Sequence, residues 1–151
     1  MVKKKNDIQY YEAVGRRRES VARVRLHIVT AKDKSVTASG TKMNQGDIIV
    51  NEKPFDMYFP SIAERNIIMR PLEVTQSTDR FAITVQTKGG GKSGQVDAIL
   101  LGIARALCLS DETYRALLKP EGALTRDPRI RERRMVGTGG KSRRQKQSPK
   151  R

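Results

Sequence analysis

Between a strand-like apolar run and a long helix-like apolar run the chain reads TKGGGKSG, residues 87–94. Glycines at such a junction let backbone N–H groups approach a phosphate, and Lys92 adds a charge beside them. Three phosphate-binding patterns overlap here. Gly89, Gly91 and Gly94 satisfy G-x-G-x-x-G, but that dinucleotide fold needs a second strand after the helix, ending in an acid near the ribose. Here another helix and a basic stretch follow, and Asp111, at about the right distance, opens a helix. The P-loop pattern fits at Gly91, Lys92 and Ser93, yet its first glycine falls on Gln86, and no apolar strand ending in Asp offers a magnesium ligand. Gly91 to Gly94 also match the G-x-x-G loop of an RNA-binding module, but that loop joins two helices and this one follows a strand. What survives is an anion site at a helix N-terminus, or a tight strand-to-helix turn. For any single glycine the two readings stay about equally open.

Other reactive groups are few. His27 is the only histidine and Cys108 the only cysteine, which excludes zinc-finger spacing and a disulfide framework. Cys108 sits in the apolar run IARALCLS and reads as a small buried hydrophobe. His27 alternates with Arg23 and Arg25 and reads as a surface contact. No metal ligand set, cofactor site or catalytic constellation emerges. A phosphate-handling enzyme using the glycine loop stands as the alternative function, without a second feature to support it.

Charge points elsewhere. The chain carries 31 Lys and Arg against 16 Asp and Glu, a net +15. Residues 1–25 hold eight basic and three acidic residues, residues 26–118 eleven and ten, residues 119–151 twelve and three. A nearly neutral centre between two basic ends calls for a polyanionic partner. No amphipathic basic helix and no run of eighteen apolar residues appears, so no membrane partner or span is expected. The basic N-terminus lacks the apolar segment of a secretory signal, and a reducing cytoplasm is expected.

The elements that position these residues follow from periodicity. ESVARVRLHIVT alternates, with Ala22, Val24, Leu26 and Ile28 on one face and Arg23, Arg25 and His27 on the other. DIIVN and RFAITVQT read as further strands, and KPFDMYFPS as a turn or short helix. SIAERNIIMRPLEV has helical spacing, with Pro71 marking its end. Val96, Ile99, Leu100, Ile103, Ala104 and Leu107 define the strongest helix, capped by Ser93 and buried across the sheet. SDETYRALLK gives a short helix stopped by Pro120. These patterns divide the chain into a basic extension over 1–9, a globular α/β domain over 10–122 and an extended basic tail over 123–151.

With no Trp and only seven aromatics, recognition must lean on phosphates and on nucleic-acid shape. Arg16, Arg17, Arg18, Arg131, Arg133, Arg134, Arg143 and Arg144 supply planar forks suited to phosphate. Gly137 to Arg151 contains six basic residues, Lys141 among them, and no acid.

These stretches resemble the universal S-nine family of small-subunit ribosomal proteins. GRRRESVARVRL is similar to its N-terminal strand motif, IIVNEKPFDMYFP to its second hairpin, and KGGGKSGQVDAILLGIARAL to its glycine loop and central helix. LTRDPRIRERR resembles its most specific stretch, and the closing KR its terminus. The resemblance implies an α+β two-layer sandwich: a four-stranded mixed sheet with helices on one face, a left-handed βαβ crossover and a long basic C-terminal tail. It implies no enzyme and no cofactor, but a structural component of the cytoplasmic small ribosomal subunit, among neighbouring proteins of the subunit head. Arg16, Arg17, Arg18, Lys92, Arg126, Arg129, Arg133 and Arg134 are then ribosomal RNA contacts. Arg23, Arg25, Lys141, Arg143 and Arg144 join them by their charge. Lys150 and Arg151 are carried over as contacts to the peptidyl-site tRNA. Four departures stand out. TAKDKSVTASGTKMNQG is longer than the usual turn, implying an extra lobe. Asn51-Glu52 replaces the usual Asn-Gly, so that turn must differ. VGTGGKSRR is richer in glycine than the family's usual stretch, and Pro149 precedes the final KR.

If binding is mainly through phosphates, about eight contacts give a slope of log affinity on log salt near −6. Titrating binding to ribosomal RNA between low and moderate salt measures it, and a nearly flat line rules the phosphate-driven reading out.

Overall fold

The computed structural model describes residues 2–5, 8–29, 35–38, 41–136, 138 and 140. Eight strands and four helices follow in order: β1 (Val2–Lys5), β2 (Ile8–Arg17), β3 (Ser20–Ile28), β4 (Ser35–Ala38), β5 (Thr41–Asn44), β6 (Ile48–Val50), β7 (Lys53–Pro54), α1 (Phe55–Tyr58), α2 (Ile62–Val74), β8 (Phe81–Lys88), α3 (Lys92–Ser110) and α4 (Tyr114–Leu118). The main sheet runs β1-β2-β3-β8-β6-β7. It is mixed: β6 lies parallel to β8, and every other pair is antiparallel.

The expected four strands are six. Ile8–Arg17 makes β2 ten residues long, and Val2–Lys5 pairs along its outer edge, where open ladder groups would otherwise face solvent. At the other edge the two-residue β7 folds back on β6. The longer segment after β3 forms a separate two-stranded sheet of β4 and β5, with residues 30–34 and 39–40 outside the described part.

Alternation places Ala22, Val24 and Leu26 of β3, Ile83 and Val85 of β8 and Val50 of β6 on one face, all at most 2% exposed. Ile68 and Leu72 of α2, Val96, Ile99, Ile103 and Leu107 of α3, and Leu118 of α4 close over them in a single cluster. Helix α3 is apolar enough to cross a bilayer by composition, but its apolar residues are spent on this core.

Three local expectations need correction. Pro71 lies inside α2 rather than at its end. The lost hydrogen bond is outweighed because Pro71 and Leu72 are both buried, and the helix closes afterwards with Thr75 Oγ1 donating to the Pro71 carbonyl. Helix α3 starts at Lys92 with Gly91 as its extended N-cap, so Ser93 is within the first turn and caps nothing. The Asn51-Glu52 turn joins Val50 to Lys53 with φ of +47° and +65°. Both residues are therefore left-handed, as a tight type I′ hairpin requires, although Glu52 stands where glycine is preferred. Asn51 holds the turn down: its amide oxygen accepts from the Thr87 N–H (2.8 Å), and its nitrogen donates to the Thr87 carbonyl (3.1 Å).

Helix and sheet touch through glycine. A Cβ on Gly15 of β2 would lie 1.9 Å from the Ala98 carbonyl oxygen and 2.6 Å from the Gly102 nitrogen. A Cβ on Gly102 would lie 2.6 Å from a Val24 methyl. Gly15→Ala must therefore push α3 off the sheet, at a cost of about 2–3 kcal/mol. The urea midpoint of the purified chain measures this; an unshifted midpoint would show that the helix does not sit so close.

Candidate nucleic-acid interface

The β2–β3 hairpin ends in Arg18 and Glu19, with Arg17 paired to Ser20 across the turn. Arg18 takes φ +49°, a left-handed conformation uncommon for a bulky residue, and its side chain is exposed. Arg16 is exposed as well. The start of α3 lies against this tip. A Cβ on Gly94 would come 2.8 Å from Ser20 Oγ and 3.9 Å from the Arg17 carbonyl oxygen. Lys92, exposed in the first turn of α3, is thereby brought to the arginine hairpin.

The glycine loop makes this approach possible. Gly89 and Gly90 have φ of +74° and +63°, and a Cβ on either would lie about 2 Å from the Glu19 carbonyl or from Ser20 Oγ. Ser20 Oγ donates to the Gly89 carbonyl at 3.3 Å. Gln95 Nε2 reaches the same oxygen at 3.2 Å, while Gln95 Oε1 accepts from Tyr58 OH at 2.9 Å. Two of the glycines thus serve a tight turn packed on the hairpin. Gly91, with open space where its Cβ would be, leaves the helix N-terminus uncovered beside Lys92.

Beyond α4 the chain returns to the same place. Arg16, Arg17, Asp97, Arg126 and Asp127 line a cleft of about 270 Å³. Arg17 is ion-paired to Asp97 of α3, and its Nη2 lies 3.3 Å from Asp127 Oδ2. Arg129 donates to Asp127 through Nη2 (2.8 Å) and Nε (3.0 Å), yet its side chain stays 81% exposed. These hydrogen bonds, from Arg129 first, hold the Asp127 carboxyl well below the usual carboxylate range. Arg126, Arg133 and Arg134 are exposed. Sequence reasoning named the arginines and missed both acids. The signal available was an Asp-Pro-Arg in a stretch otherwise almost free of acids.

Arg23 and Arg25 lie apart from this cluster, on the sheet face away from the helices. Arg23 donates to Gln86, and Arg25 to Glu12 at 2.8 Å while stacking 5.1 Å from the Tyr10 ring centre. His27, expected as a surface contact, is 4% exposed. It packs at 5.6 Å against Tyr10 and meets Thr84 Oγ1 at 2.9 Å through Nε2. Tyr10 and the neighbouring strands enclose this position, so the ring cannot reach a ligand. Lys141, Arg143, Arg144, Lys150 and Arg151 lie outside the described residues. Among the described residues no group of three or more His, Cys, Asp or Glu side chains is placed to hold a metal.

Comparison with known proteins points to one family. The model of the family described as ribosomal protein S9/S16 matches residues 15–151. The small ribosomal subunit protein uS9 of Methylacidiphilum infernorum is 42% identical over 112 residues, covering 74% of this chain and 82% of the relative. Its counterpart from Amoebophilus asiaticus is 38% identical over 130 residues, covering 86% and 90%.

Burial, and secondarily the Arg25 charge, lowers the His27 pKa from 6.5 to about 4. The unfolded chain therefore binds a proton that the folded chain refuses between these values. Stability is at its full value above about pH 6.5 and falls as pH drops toward 4, by up to about 3 kcal/mol from this group. Urea unfolding at pH 7 and pH 4.5 measures it. His27→Gln should flatten the difference, and an equally steep loss in that variant assigns the pH dependence to other groups.

Proposed function

This chain belongs to the ribosomal protein S9/S16 family, and we propose that it serves as a structural component of the small ribosomal subunit, bound to ribosomal RNA in the subunit head. It is not an enzyme. The observation that carries the RNA reading is the convergence of three separate segments on one basic surface: the Arg16–Arg18 hairpin, the open α3 N-terminus with Lys92, and Arg126 with Arg129. Phosphates bound there are held by charge and backbone N–H groups, which position an RNA without reading its sequence. Arg133 and Arg134 extend the surface along the chain. Arg23 and Arg25 form a second, weaker patch on the opposite sheet face, since each is already engaged by a neighbour.

The rest of the reading rests on family membership. Residues 123–151 form the extended basic tail, in which Lys141, Arg143 and Arg144 continue the RNA contacts. Lys150 and Arg151 reach the peptidyl-site tRNA. Residues 1–9 are a basic extension that adds β1 and the start of β2 to the edge of the globular domain over 10–122. The connection from β6 through α2 to β8 crosses in the left-handed sense. Neighbouring proteins of the subunit head are the remaining partners, in the cytoplasmic ribosome, with no cofactor and no membrane.

Small subunits depleted of this protein and re-supplied with the full chain, or with a chain lacking Lys150 and Arg151, test both levels. Both chains should co-sediment with the subunit. The shortened one should weaken peptidyl-site binding of every tRNA alike, by on the order of 1–3 kcal/mol for two charge-assisted hydrogen bonds partly replaced by water. Equal tRNA dissociation rates remove the tail from the reading. Failure of the full chain to co-sediment removes the ribosomal role.

A further inference from the structure

An acid inside a phosphate-binding stretch needs a reason. Residues 119–151 hold twelve basic residues and three acids, and one of these acids, Asp127, lies between Arg126 and Arg129. By charge alone it should repel RNA. Its contacts describe a different task. Oδ1 accepts the Arg129 backbone N–H at 3.0 Å and Arg129 Nε at 3.0 Å, while Oδ2 accepts Arg129 Nη2 at 2.8 Å. Oδ2 also lies 3.3 Å from Arg17 Nη2, and Arg17 is paired in turn with Asp97. Between the two partners Pro128 removes a backbone degree of freedom. One carboxylate therefore ties the segment after α4 to the β2–β3 hairpin and fixes the rotamer of Arg129.

Arg129 is fixed without being hidden. A guanidinium carries five N–H donors in a planar fork. Asp127 uses the Nε and Nη2 edge, and the rest of the fork stays with a side chain that is 81% exposed. A free arginine loses most of its rotamer freedom on gripping a phosphate, whereas a pre-ordered one has little left to lose.

We propose that Asp127 is a positioning residue for RNA binding, holding Arg129 and the Arg17 hairpin in one phosphate-ready arrangement. The inference rests on the reading of residues 126–134 as RNA contacts. It makes a prediction opposite in sign to simple electrostatics. Removing an acid raises the net charge by one, which favours RNA binding and steepens its salt dependence. If positioning dominates, the same substitution weakens binding.

The test uses the full-length chain and full-length small-subunit ribosomal RNA at one fixed salt concentration. It compares the wild type, Asp127→Asn, Arg129→Ala and the double variant, with a thermal unfolding curve for each. Asparagine keeps an oxygen for the Arg129 backbone N–H, so the turn is retained while the charged clamp is lost. Asp127→Asn should bind about three- to tenfold more weakly than wild type, and less than about twofold more weakly in the Arg129→Ala background. Asp127→Asn binding at or above wild-type strength, with Arg129→Ala weakened, overturns the inference and leaves the RNA reading standing. Arg129→Ala binding as wild type overturns both. Should Asp127→Asn also lower the melting temperature, the double variant still decides. A loss that persists in full without Arg129 belongs to a disturbed fold and overturns the positioning role.

Discussion

The contact on which the rest depends is the one with no side chain in it. Helix α3 meets β2 at Gly15 and Gly102, where the backbone of the helix lies against the backbone of the sheet. An ordinary helix-on-sheet interface leaves a layer of side chains between the two, which allows small changes of tilt. Here the carbonyl of Ala98 occupies the volume of a Gly15 methyl, so the helix can sit in only one place. Because Gly15 directly precedes the arginine hairpin and Asp97 lies next to Ala98, the same contact fixes where Arg17 meets its acid. The core and the basic surface are therefore set by one close approach.

A polar network fixes the other side of that surface. Asn51 is bonded to both backbone groups of Thr87, Tyr58 bridges toward Gln95, and Gln95 holds the carbonyl of Gly89. Side chains from β6–β7, α1 and the first turn of α3 thus clamp the glycine loop from one side while Ser20 holds it from the other. This explains why the loop can be so rich in glycine without being slack. Its freedom is used to bring three backbones together, and the freedom left over is removed by hydrogen bonds from neighbours. The left-handed Glu52 is tolerated for the same reason, since the bonds of Asn51 over-determine the turn it sits in.

What could be read from the sequence is what local chemistry decides alone. Period-two alternation announced β3 and β8, and the spacing from Val96 to Leu107 announced α3, because burial of one face imposes those periods directly. What could not be read was decided by partners distant in sequence. Pro71 ends a helix by local rules, yet here its burial keeps it inside one. His27 alternates with arginines like a surface residue, and only the packing of Tyr10 from the neighbouring strand shows it to be enclosed. β1 has no strong apolar alternation, and forms because β2 is long enough to offer it an edge. The site followed the same division. Its cations were visible as composition, whereas Asp97 and Asp127 acquire meaning only when residues 80 and 110 positions from Arg17 return to it.

The return of these acids to Arg17 bears on how so basic a chain folds. Gathering Arg16, Arg17 and Arg126 around one small cleft crowds like charges together, and that repulsion opposes the compact state. Two carboxylates at the centre, each paired with arginine, offset it where the crowding is greatest. Arg16, Arg18 and Arg126 remain exposed. Arg17 shows the cost of this arrangement, since a guanidinium held by two acids has little charge left to offer a phosphate. The hairpin thus divides its three consecutive arginines: the middle one holds the fold together and the outer two stay exposed. Position along β2 and the turn imposes that division, because Arg17 points to the helix side where both acids lie, while Arg16 sits at the rim of the cleft and Arg18 stands in the turn.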